Sequence, residues 1–419
     1  MRALIATGGS DGDLRPFYAL AKELLARGHE VLFTGPDYYT KPVEALGIPF
    51  RKVGPTWGPD QMRDAFEQVL KKTNPLDQLK IVLDTLVEPE LAMVPEYLEM
   101  VPQYDVVIYP PIFFVAAAAA RAKGVKHVSV QLAPVHPARN YSPTGSNFGP
   151  FLNGIVWKLA LGMLRRATDD KLNTIVKASG LAPWKDVLLK ATTSDLLDLI
   201  AVSPNMLQAD PGWPASSRLT GYWFLDEPEF KVDPALETFV GDDRPVVIGF
   251  GSMNGFDAKK VTETIMEAAR TIDRKVVVQS GWAGLGDAEI PSNVFVARFV
   301  PHAWLFSRAS CVVHHGGAGT TAAALRAGIP QMIVWHLGDQ PSWGQKVRGH
   351  GIGPAHIFHQ KMTAGRLAAG IRTMLTDEPM KQRARALGEQ VRGEKSGVAT
   401  AVTMIEEALA KGTGLQKSP

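Results

Sequence analysis

Short runs of apolar residues alternate with stretches of helical periodicity along almost the whole chain. The runs are apolar throughout, as in "PVVIGFG" and "ASCVVHH", which is typical of parallel strands covered by helices on both faces. One helical stretch, "PFYALAKELLARGH", is predicted to begin at Pro16 and to end at Gly28. The alternation predicts an α/β fold built from doubly wound, Rossmann-like parallel sheets.

The alternation is interrupted at residues 221–245, where three prolines and clustered acidic residues replace the regular period. After this segment the chain restarts with an apolar run and a Gly-rich turn, much as it began with "RALIATGGSDGD". A chain of 419 residues is also too long for one ordinary core. We therefore predict two domains facing across a cleft. The predicted divisions are residues 1–222, a linker at 223–244, residues 245–400, and a helix crossing back to the first domain with a loose tail at 401–419.

Composition excludes several classes of protein. The 45 Lys and Arg residues exceed the 42 Asp and Glu residues only slightly and are scattered, so we expect no nucleic-acid partner. The single cysteine, Cys311, excludes an internal disulfide and a cysteine-built metal site. The apolar stretch 106–120 is interrupted by Pro110 and Pro111 and is shorter than the roughly 20 residues of a membrane span. The start, "MRALIATGG", is predicted to be a strand and not a signal peptide, so a cytoplasmic location is expected.

The stretch "VVHHGGAGTTAAALRAGIP" follows an apolar run and opens an alanine-rich helix. In a parallel sheet, ligands lie beyond the carboxyl ends of the strands, where helix N-termini present unpaired amides. Glycines let backbone amides approach an anion and histidines add donors, so this turn predicts a diphosphate site. A tight, capped turn without a ligand is the structural alternative. The candidate residues are His314, His315, Gly316, Gly317, Ala318, Gly319 and Thr320.

Other strand ends of the second half carry further candidates. Asp339 and Gln340 follow an apolar run and suit sugar hydroxyls, because a carboxylate accepts hydrogen bonds and an amide both donates and accepts. A helix-capping role for Asp339 is the alternative. Phe299 and His302 in "VARFVPHAWLF" suit a nucleotide base, and Ser252 in "GFGSM" suits a phosphate. Each of these three is also compatible with a core or capping role.

In the first half, Asp13 lies in "TGGSDGDLRP", between the first strand and the first helix. An exposed carboxylate at this point suits a general base acting on an acceptor hydroxyl, while capping of the helix is the alternative. The letters "DGD" also match a D-x-D pattern that holds a metal on a diphosphate in other architectures. A second acidic strand end is missing, so no metal is expected.

Taken together, these residues resemble glycosyltransferase family 1, which has the GT-B fold, and within it the bacterial and fungal branch of sterol and natural-product glucosyltransferases. The motifs "GSDGDLRP", "FVPHAWLF" and "HHGGAGTTAAALRAGIPQMIVWHLGDQPSWG" carry the resemblance, which extends over nearly the whole chain. It implies that Asp13 is the catalytic base and that the second domain binds the donor. It assigns the diphosphate to His314, Ser252 and the amides of 316–321, with His315 adjacent, the sugar to Asp339 and Gln340, and uracil to Phe299 and the His302 backbone.

The implied reaction is an inverting, single-step transfer of a hexose, with glucose expected, from a UDP-sugar without metal or other cofactor. Asp11 stands where the family usually has arginine, which removes a positive charge near the phosphates. Its own charge is expected to raise the pKa of Asp13.

The acceptor is expected to be a lipophilic small molecule, such as a sterol, a polyketide or a phenolic, bound by the first domain. Trp57, Phe148 and Trp157 are predicted to line its pocket. The apolar residues of the helix "GIVWKLALGMLRR" are predicted to face inward; they are residues 155, 156, 159, 160, 163, 164 and 167. A lipophilic acceptor and a mildly basic surface also predict peripheral contact with a membrane.

Several other functions remain open at this point. A natural-product glycosyltransferase that uses a dTDP-sugar fits the same motifs, and a nucleotide-sugar 2-epimerase shares the fold. A dinucleotide oxidoreductase is disfavoured, because "GGSDGD" does not have the G-x-G-x-x-G spacing. A catalytically inactive lipid-binding module is disfavoured by the retained Asp13, His314, Asp339 and Gln340.

Overall fold

Two parallel sheets, each flanked by helices, make up the computed structural model of this chain. The structure describes residues 1–56, 64, 67–72, 74–227, 230–251, 258–279 and 289–411. The candidates Trp57 and Ser252 lie outside the described residues.

The first sheet has seven strands in the order β3-β2-β1-β4-β5-β6-β7, and every neighbouring pair is parallel. Its strands are β1 (Arg2–Ala6), β2 (Glu30–Gly35), β3 (Phe50–Lys52), β4 (Val106–Tyr109), β5 (Lys126–Gln131), β6 (Leu197–Ile200) and β7 (Ser217–Leu219). The helices of this part are α1 (Asp11–Ala26), α2 (Thr40–Glu44), α3 (Pro75–Met100), α4 (Phe114–Ala122), α5 (Pro150–Ala178) and α6 (Val187–Thr192).

The second sheet has six strands in the order β10-β9-β8-β11-β12-β13, again all parallel. Its strands are β8 (Val246–Gly249), β9 (Val276–Gln279), β10 (Val294–Ala297), β11 (Cys311–His314), β12 (Gln331–Trp335) and β13 (Ile357–Phe358). The remaining helices are α7 (Pro234–Val240), α8 (Ala258–Arg270), α9 (His302–Ser307), α10 (Ala318–Ala327), α11 (Gln340–Gly349), α12 (Ala364–Thr376), α13 (Glu378–Gly393) and α14 (Gly397–Ala410).

Strand β1 shows why the central strands are apolar along their whole length. Ala3 and Ile5 belong to one hydrophobic core, and Leu4 and Ala6 belong to another on the opposite face of the sheet. Successive side chains of a strand point to opposite faces, so a strand covered on both sides needs apolar residues throughout. The doubly wound fold predicted from the sequence is confirmed.

The last helix, α14, returns from the second half to the first. Its residues Val402 and Ile405 are fully buried in the same core as Phe17 of α1. The Arg27 guanidinium, just past α1, binds the Glu406 carboxylate at 2.9 Å and donates to the Ala399 carbonyl oxygen at 2.9 Å. The prediction that the final helix crosses back is confirmed, with the helix beginning at Gly397.

The first helix starts earlier than the sequence predicts. It begins at Asp11, with Ser10 as N-cap, and Pro16 lies inside it. The predicted start at Pro16 is therefore wrong, because the Ser10–Asp13 pair caps the chain one turn before the proline. The predicted end is confirmed by Gly28, whose φ of 79° is the left-handed conformation that favours glycine after a helix.

Part of the segment predicted to be a linker packs on the second sheet. Helix α7 lies within it, and its Leu236 and Val240 join the core that contains Val247 of β8 and Val277 of β9. The division at residues 223–244 stays a prediction.

Helix α5 contradicts the predicted orientation of its apolar residues. Ile155, Leu159 and Met163 are 41%, 62% and 50% exposed, so they do not form the inward face. The buried side of the helix instead carries Asn153, Trp157, Thr168 and Leu172. Among the helices that the structure describes, none is both long and apolar enough to span a bilayer.

Candidate active site

The strand order of both sheets places a crevice at the same point. In each sheet the direction of winding reverses beside the first strand, between β1 and β4 in one and between β8 and β11 in the other. Open α/β sheets bind ligands beyond the carboxyl ends of the strands at this point. The loop from β1 to α1 and the loop from β11 to α10 therefore define the candidate site.

Asp13 is held in place by the first turn of α1. Its Oδ2 atom accepts hydrogen bonds from the backbone N and from Oγ of Ser10, both at 2.8 Å. Gly9 has a φ of 127°, and a Cβ there would lie 2.6 Å from Asp13 Oδ2. The close approach of the loop to this carboxylate consequently requires glycine.

Tyr39 fixes the loop that supports Asp13. Its hydroxyl accepts from the Gly9 N at 2.9 Å and donates to the Gly9 carbonyl oxygen at 2.6 Å. Burial raises the pKa of this phenol far above its usual value, with a smaller contribution from the charge of Asp13. Tyr39 therefore acts as a neutral hydrogen-bonding support. Sequence reasoning did not identify Tyr39, which lies 26 residues beyond Asp13 in the chain.

His314 has its ring nitrogens engaged inside the protein. The residue is fully buried at the end of β11, its Nε2 lies 2.9 Å from Gln331 Oε1, and its Nδ1 accepts from the Gly316 N at 3.1 Å. Burial lowers its pKa to about 3, so the imidazole is neutral. In this arrangement His314 shapes the turn and does not present a donor to the cleft, which differs from its predicted contact with a diphosphate.

His315 lies between two glycines. A Cβ on Gly317 would lie 2.5 Å from its Nε2, and a Cβ on Gly251 would lie 3.5 Å from its Cε1. Its Nδ1 atom is buried and makes no hydrogen bond with the residues that the structure describes. Burial lowers the pKa of this imidazole to about 4. His315 is thus a neutral side chain just beyond the end of β11, with hydrogen-bonding capacity that the described part of the chain does not use.

The N-termini of two helices lie side by side next to His315. Gly317 is the N-cap of α10, followed by Ala318, Gly319 and Thr320 in the first turn, whose amides have no acceptor within the helix. Gly316 has a φ of 92°, and a Cβ there would lie 3.3 Å from the Gln340 backbone oxygen at the start of α11. The two helix N-termini therefore present their partial positive charges to the same volume.

Asp339 and Gln340 open α11. Asp339 Oδ2 accepts from the Trp343 indole nitrogen at 2.5 Å, while Gln340 Oε1 accepts from the backbone N of His336 at 2.7 Å and of Leu337 at 3.2 Å. The side-chain oxygen of Gln340 thus fixes the loop at His336 and Leu337 that precedes α11. Its side-chain nitrogen, Nε2, makes no hydrogen bond with the rest of the described chain.

The carboxyl group of Asp339 has a raised pKa. Asp339 is accessible to solvent within the cleft, but the protein around it displaces bulk water and raises its pKa to about 6, with a further contribution from the charge of Asp13. The two carboxyl groups, one on each domain, therefore interact electrostatically across the cleft.

An aromatic and cationic cluster lies at the end of β10. Phe299 is 55% exposed, the Arg15 guanidinium lies 5.8 Å from its ring centroid, and the His302 ring stacks on Phe306 at 4.6 Å. Burial, followed by the charge of Arg15, lowers the pKa of His302 to about 4. Arg15 also binds Glu227 at 2.7 Å. Sequence reasoning did not identify Arg15, because only the fold brings α1 to the second domain.

Two of the predicted acceptor residues have different surroundings. Phe148 is 54% exposed and is available to a ligand. Trp157 is buried with Tyr141 and Ala138, and its indole nitrogen donates to the Tyr141 carbonyl oxygen at 2.8 Å. Trp157 therefore belongs to a small core and does not line an open pocket, because α5 turns this side inward.

The part of the chain that the structure describes contains no cluster of metal ligands. There, no three His, Cys, Asp or Glu side chains converge closely enough to hold a metal ion. The expectation that no metal takes part stays a prediction.

Comparisons with known proteins agree with this architecture. Residues 3–94 match the N-terminal domain of glycosyltransferase family 28, and residues 263–407 match the C-terminal domain of the erythromycin biosynthesis protein CIII-like family. The O-mycaminosyltylonolide 6-deoxyallosyltransferase of Streptomyces fradiae is 30% identical over 97% of this chain and 97% of its own length. The chain belongs to the glycosyltransferases. The predicted family and enzyme class are confirmed.

This glycosyltransferase is also similar to sterol 3-beta-glucosyltransferases. One from Arabidopsis thaliana is 29% identical over 96% of this chain and 64% of its own length. One from Saccharomyces cerevisiae is 28% identical over 97% of this chain but only 35% of its own length. The chain thus spans about a third of the yeast protein and just under two thirds of the plant protein.

Solved structures confirm the GT-B fold. The glycosyltransferase of kitacinnamycin superposes with a TM-score of 0.72 at 19% identity, covering 97% of this chain and 98% of that one. The glycosyltransferase VinC, solved in complex with dTDP, has a TM-score of 0.70 at 20% identity, with 98% and 100% covered. The resemblance is one of fold across nearly the entire chain.

Proposed function

We propose that this glycosyltransferase moves a hexose, with glucose as the expected sugar, from a UDP-sugar to a hydroxyl of a lipophilic small molecule with inversion at the anomeric carbon. The observation that carries the proposal is the position of His315. It lies between Gly251 and Gly317, beside the N-terminus of α10, and α10 contacts α1, the helix that carries Asp13. An anion placed there would meet a side-chain donor, helix amides and a general base in one volume.

In this proposal the donor diphosphate binds to His315 and to the first-turn amides of α10, residues 318–320. His314 positions the loop instead of touching the ligand, since its ring nitrogens bond to Gln331 and Gly316. This differs from the assignment that the family resemblance suggested. A neutral His315 donates its one N–H without a formal charge, and the bound anion would raise its pKa.

Asp13 acts as the general base. As the acceptor oxygen attacks the anomeric carbon, the bond from that carbon to the diphosphate oxygen breaks, and the acceptor proton passes to the Asp13 carboxylate. The nucleoside diphosphate leaves with the electron pair. A carboxylate with an ordinary pKa of about 4 is a weak base toward an alcohol. Most of the acceleration must therefore come from alignment and from stabilisation of the leaving group.

Asp339 and Gln340 hold the donor sugar. The ionised Asp339 carboxylate accepts hydrogen bonds from sugar hydroxyls, and the Gln340 amide nitrogen donates one. Because the pKa of Asp339 is about 6, the accepting form predominates at neutral pH. Its hydrogen bond to Trp343 fixes the orientation of the carboxylate.

The nucleotide base is assigned to the exposed ring of Phe299 and to the backbone at His302. The Arg15 guanidinium beside that ring adds a positive charge on the side of the first domain.

The acceptor is assigned to the first domain, with Phe148 as an exposed apolar contact. The lipophilic class follows from the relatives, whose names describe transfer to sterols and to a tylonolide. A donor carrying dTDP is a second candidate, because VinC and a spinosyn rhamnosyltransferase of the same fold were solved with thymidine diphosphate.

Mass spectrometry of products tests the proposal. The protein is incubated with a panel of sterols, macrolides and phenolics and with either UDP-glucose or dTDP-glucose. The expected result is an acceptor that carries one added hexose when UDP-glucose is the donor. The same product is expected in the presence of EDTA. Products formed only with dTDP-glucose would support the second candidate. Conversion of a sugar nucleotide into its epimer without any acceptor, detected by NMR because the mass does not change, would instead indicate an epimerase.

A further inference from the structure

One face of α5 presents large apolar side chains to solvent. Phe151, Leu152, Ile155, Leu159 and Met163 are 80%, 51%, 41%, 62% and 50% exposed. We call these five residues the α5 stripe. Four of them recur at intervals of four residues, so they lie along one side of the helix over about 18 Å. Exposed apolar patches of this size on a folded protein mark interaction surfaces.

The stripe is separate from the side by which α5 packs. Asn153 is fully buried and donates to the Arg139 carbonyl oxygen at 2.8 Å and to Asn147 Oδ1 at 3.0 Å. Trp157, also buried, bonds to Tyr141. The helix is therefore anchored by its opposite face, and the stripe makes no contribution to that core.

Basic side chains lie on α5 beside the stripe. Residues 150–168 contain Lys158, Arg165 and Arg166 and no acidic residue. Arg165 is paired with Asp186 at 3.7 Å, whereas Lys158 and Arg166 are exposed. Asp169, one residue beyond, accepts hydrogen bonds from the Asp186 and Val187 backbone N atoms. On the adjacent α3, the exposed Asp84 is paired with Lys171. The exposed Asp170, four residues after Arg166 on α5, and the exposed Glu88 of α3 are acidic groups that offset part of this charge.

We propose that the α5 stripe docks the protein on a lipid bilayer that contains anionic phospholipid. Its apolar side chains would enter the interface between headgroups and acyl chains, while Lys158 and Arg166 would meet lipid phosphates. A second copy of the chain fits less well, because a twofold contact would bring the two sets of basic residues together. The inference is independent of the donor and of the catalytic residues proposed above.

Docking of this kind would also turn the acceptor side of the cleft toward the bilayer. Three further apolar residues, Phe148, Ile112 and Val135, are 54%, 40% and 38% exposed. Ile112 follows the carboxyl end of β4, Val135 follows that of β5, and Phe148 lies just before α5. The apolar surface thus extends from the stripe toward the crevice. This consequence rests on the proposed lipophilic acceptor, whereas the docking itself does not.

Vesicle cosedimentation of the full chain tests the inference. Vesicles of phosphatidylcholine with phosphatidylserine are compared with phosphatidylcholine alone. The Phe151→Glu/Leu159→Glu variant is expected to lose about tenfold or more in partition to the anionic vesicles. Ile290→Glu, which changes a 50% exposed isoleucine of the other domain, is the matched control and is expected to bind like the wild type. Lys158→Glu/Arg166→Glu is expected to weaken binding to the anionic vesicles only.

Three results would overturn the inference. They are a wild-type protein that stays in the supernatant, equal binding to both kinds of vesicle, and unchanged binding by the Phe151→Glu/Leu159→Glu variant. Light scattering tests the alternative that a second copy of the chain covers the stripe. A wild-type dimer that does not bind lipid and that becomes monomeric in the Phe151→Glu/Leu159→Glu variant would support this alternative. Thermal unfolding checks that each variant is folded. If the Phe151→Glu/Leu159→Glu variant does not fold, the Lys158→Glu/Arg166→Glu variant still tests the surface.

Discussion

The Nε2 atom of His315 lies 2.5 Å from the position that a Cβ atom would occupy on Gly317. On the other side of the ring, a Cβ on Gly251 would lie 3.5 Å from Cε1. The imidazole therefore has its present position because glycine stands at Gly317, where any side chain would displace it. The glycine cluster serves two purposes, since it also frees the amides at the start of α10.

Gly317→Ala is expected to displace the His315 ring and to weaken nucleotide binding by about tenfold or more, because misplaced groups lose much of their effect on a ligand. Calorimetry with UDP and with dTDP measures the change. Gly349→Ala is the control, since a Cβ there meets no atom within 4 Å. Unchanged affinity in Gly317→Ala would contradict the role given to His315.

The two neighbouring histidines are expected to differ in what their loss affects. His315→Ala should lower kcat/KM by about 100-fold or more, the cost of removing one donor to a developing charge, with little change in the unfolding temperature. His314→Ala should mainly destabilise the fold, because it leaves the buried Gln331 side chain and the Gly316 N without their partner. Kinetics and thermal unfolding of both variants check this. The reverse pattern would restore His314 as the diphosphate contact.

Donor affinity is expected to fall as the pH drops through about 6. The pKa of Asp339 is raised to about 6, so below this pH its carboxylate becomes protonated and no longer accepts from two sugar hydroxyls. The KM for the nucleotide sugar, measured across pH 5 to 8, should rise on the acid side. Asp339→Asn should give a high KM without this transition. A wild-type profile identical to that of the variant would exclude the assignment.

Glu90 is expected to make the protein less stable at alkaline pH. The residue is 2% exposed, its Oε2 accepts from the Val115 N at 2.8 Å, and burial raises its pKa to about 8. The folded pKa lies above the unfolded one, so the contribution of Glu90 to stability is fully present below about pH 4 and is lost as the pH rises toward 8. Glu90→Gln should remove this loss and unfold at a higher temperature than the wild type at pH 8. Equal pH dependence of the two unfolding temperatures would refute this.

The fold was predictable because its central strands are covered on both faces. The burial of Ala3 and Ile5 on one face of β1, and of Leu4 and Ala6 on the other, makes the whole strand apolar and easy to identify. The edge strands β3, β7 and β13 were not predicted, because they are only two or three residues long and are not fully buried. Short edge strands carry neither a sustained apolar run nor a clear alternation.

The candidate site was predictable in place but not in detail. The turn with two histidines and three glycines indicated an anion site, yet residue type alone does not tell His314 from His315. Alternation along the strand does not separate them either, because β11 is buried on both faces. The choice depends on Gln331, a residue of the neighbouring strand. Arg15 and Tyr39 likewise act through contacts that only the folded chain provides.

Asp13→Asn gives the most direct test of the account. Asparagine keeps an oxygen to accept from the Ser10 N, so α1 should remain capped and nucleotide binding should persist, while the base is lost. Turnover of an accepted substrate with its sugar nucleotide, followed by mass spectrometry, is expected to fall by about a thousandfold, within the range that general base catalysis contributes. Turnover equal to that of the wild type, in a variant that folds and binds nucleotide, would contradict the claim that Asp13 takes the acceptor proton.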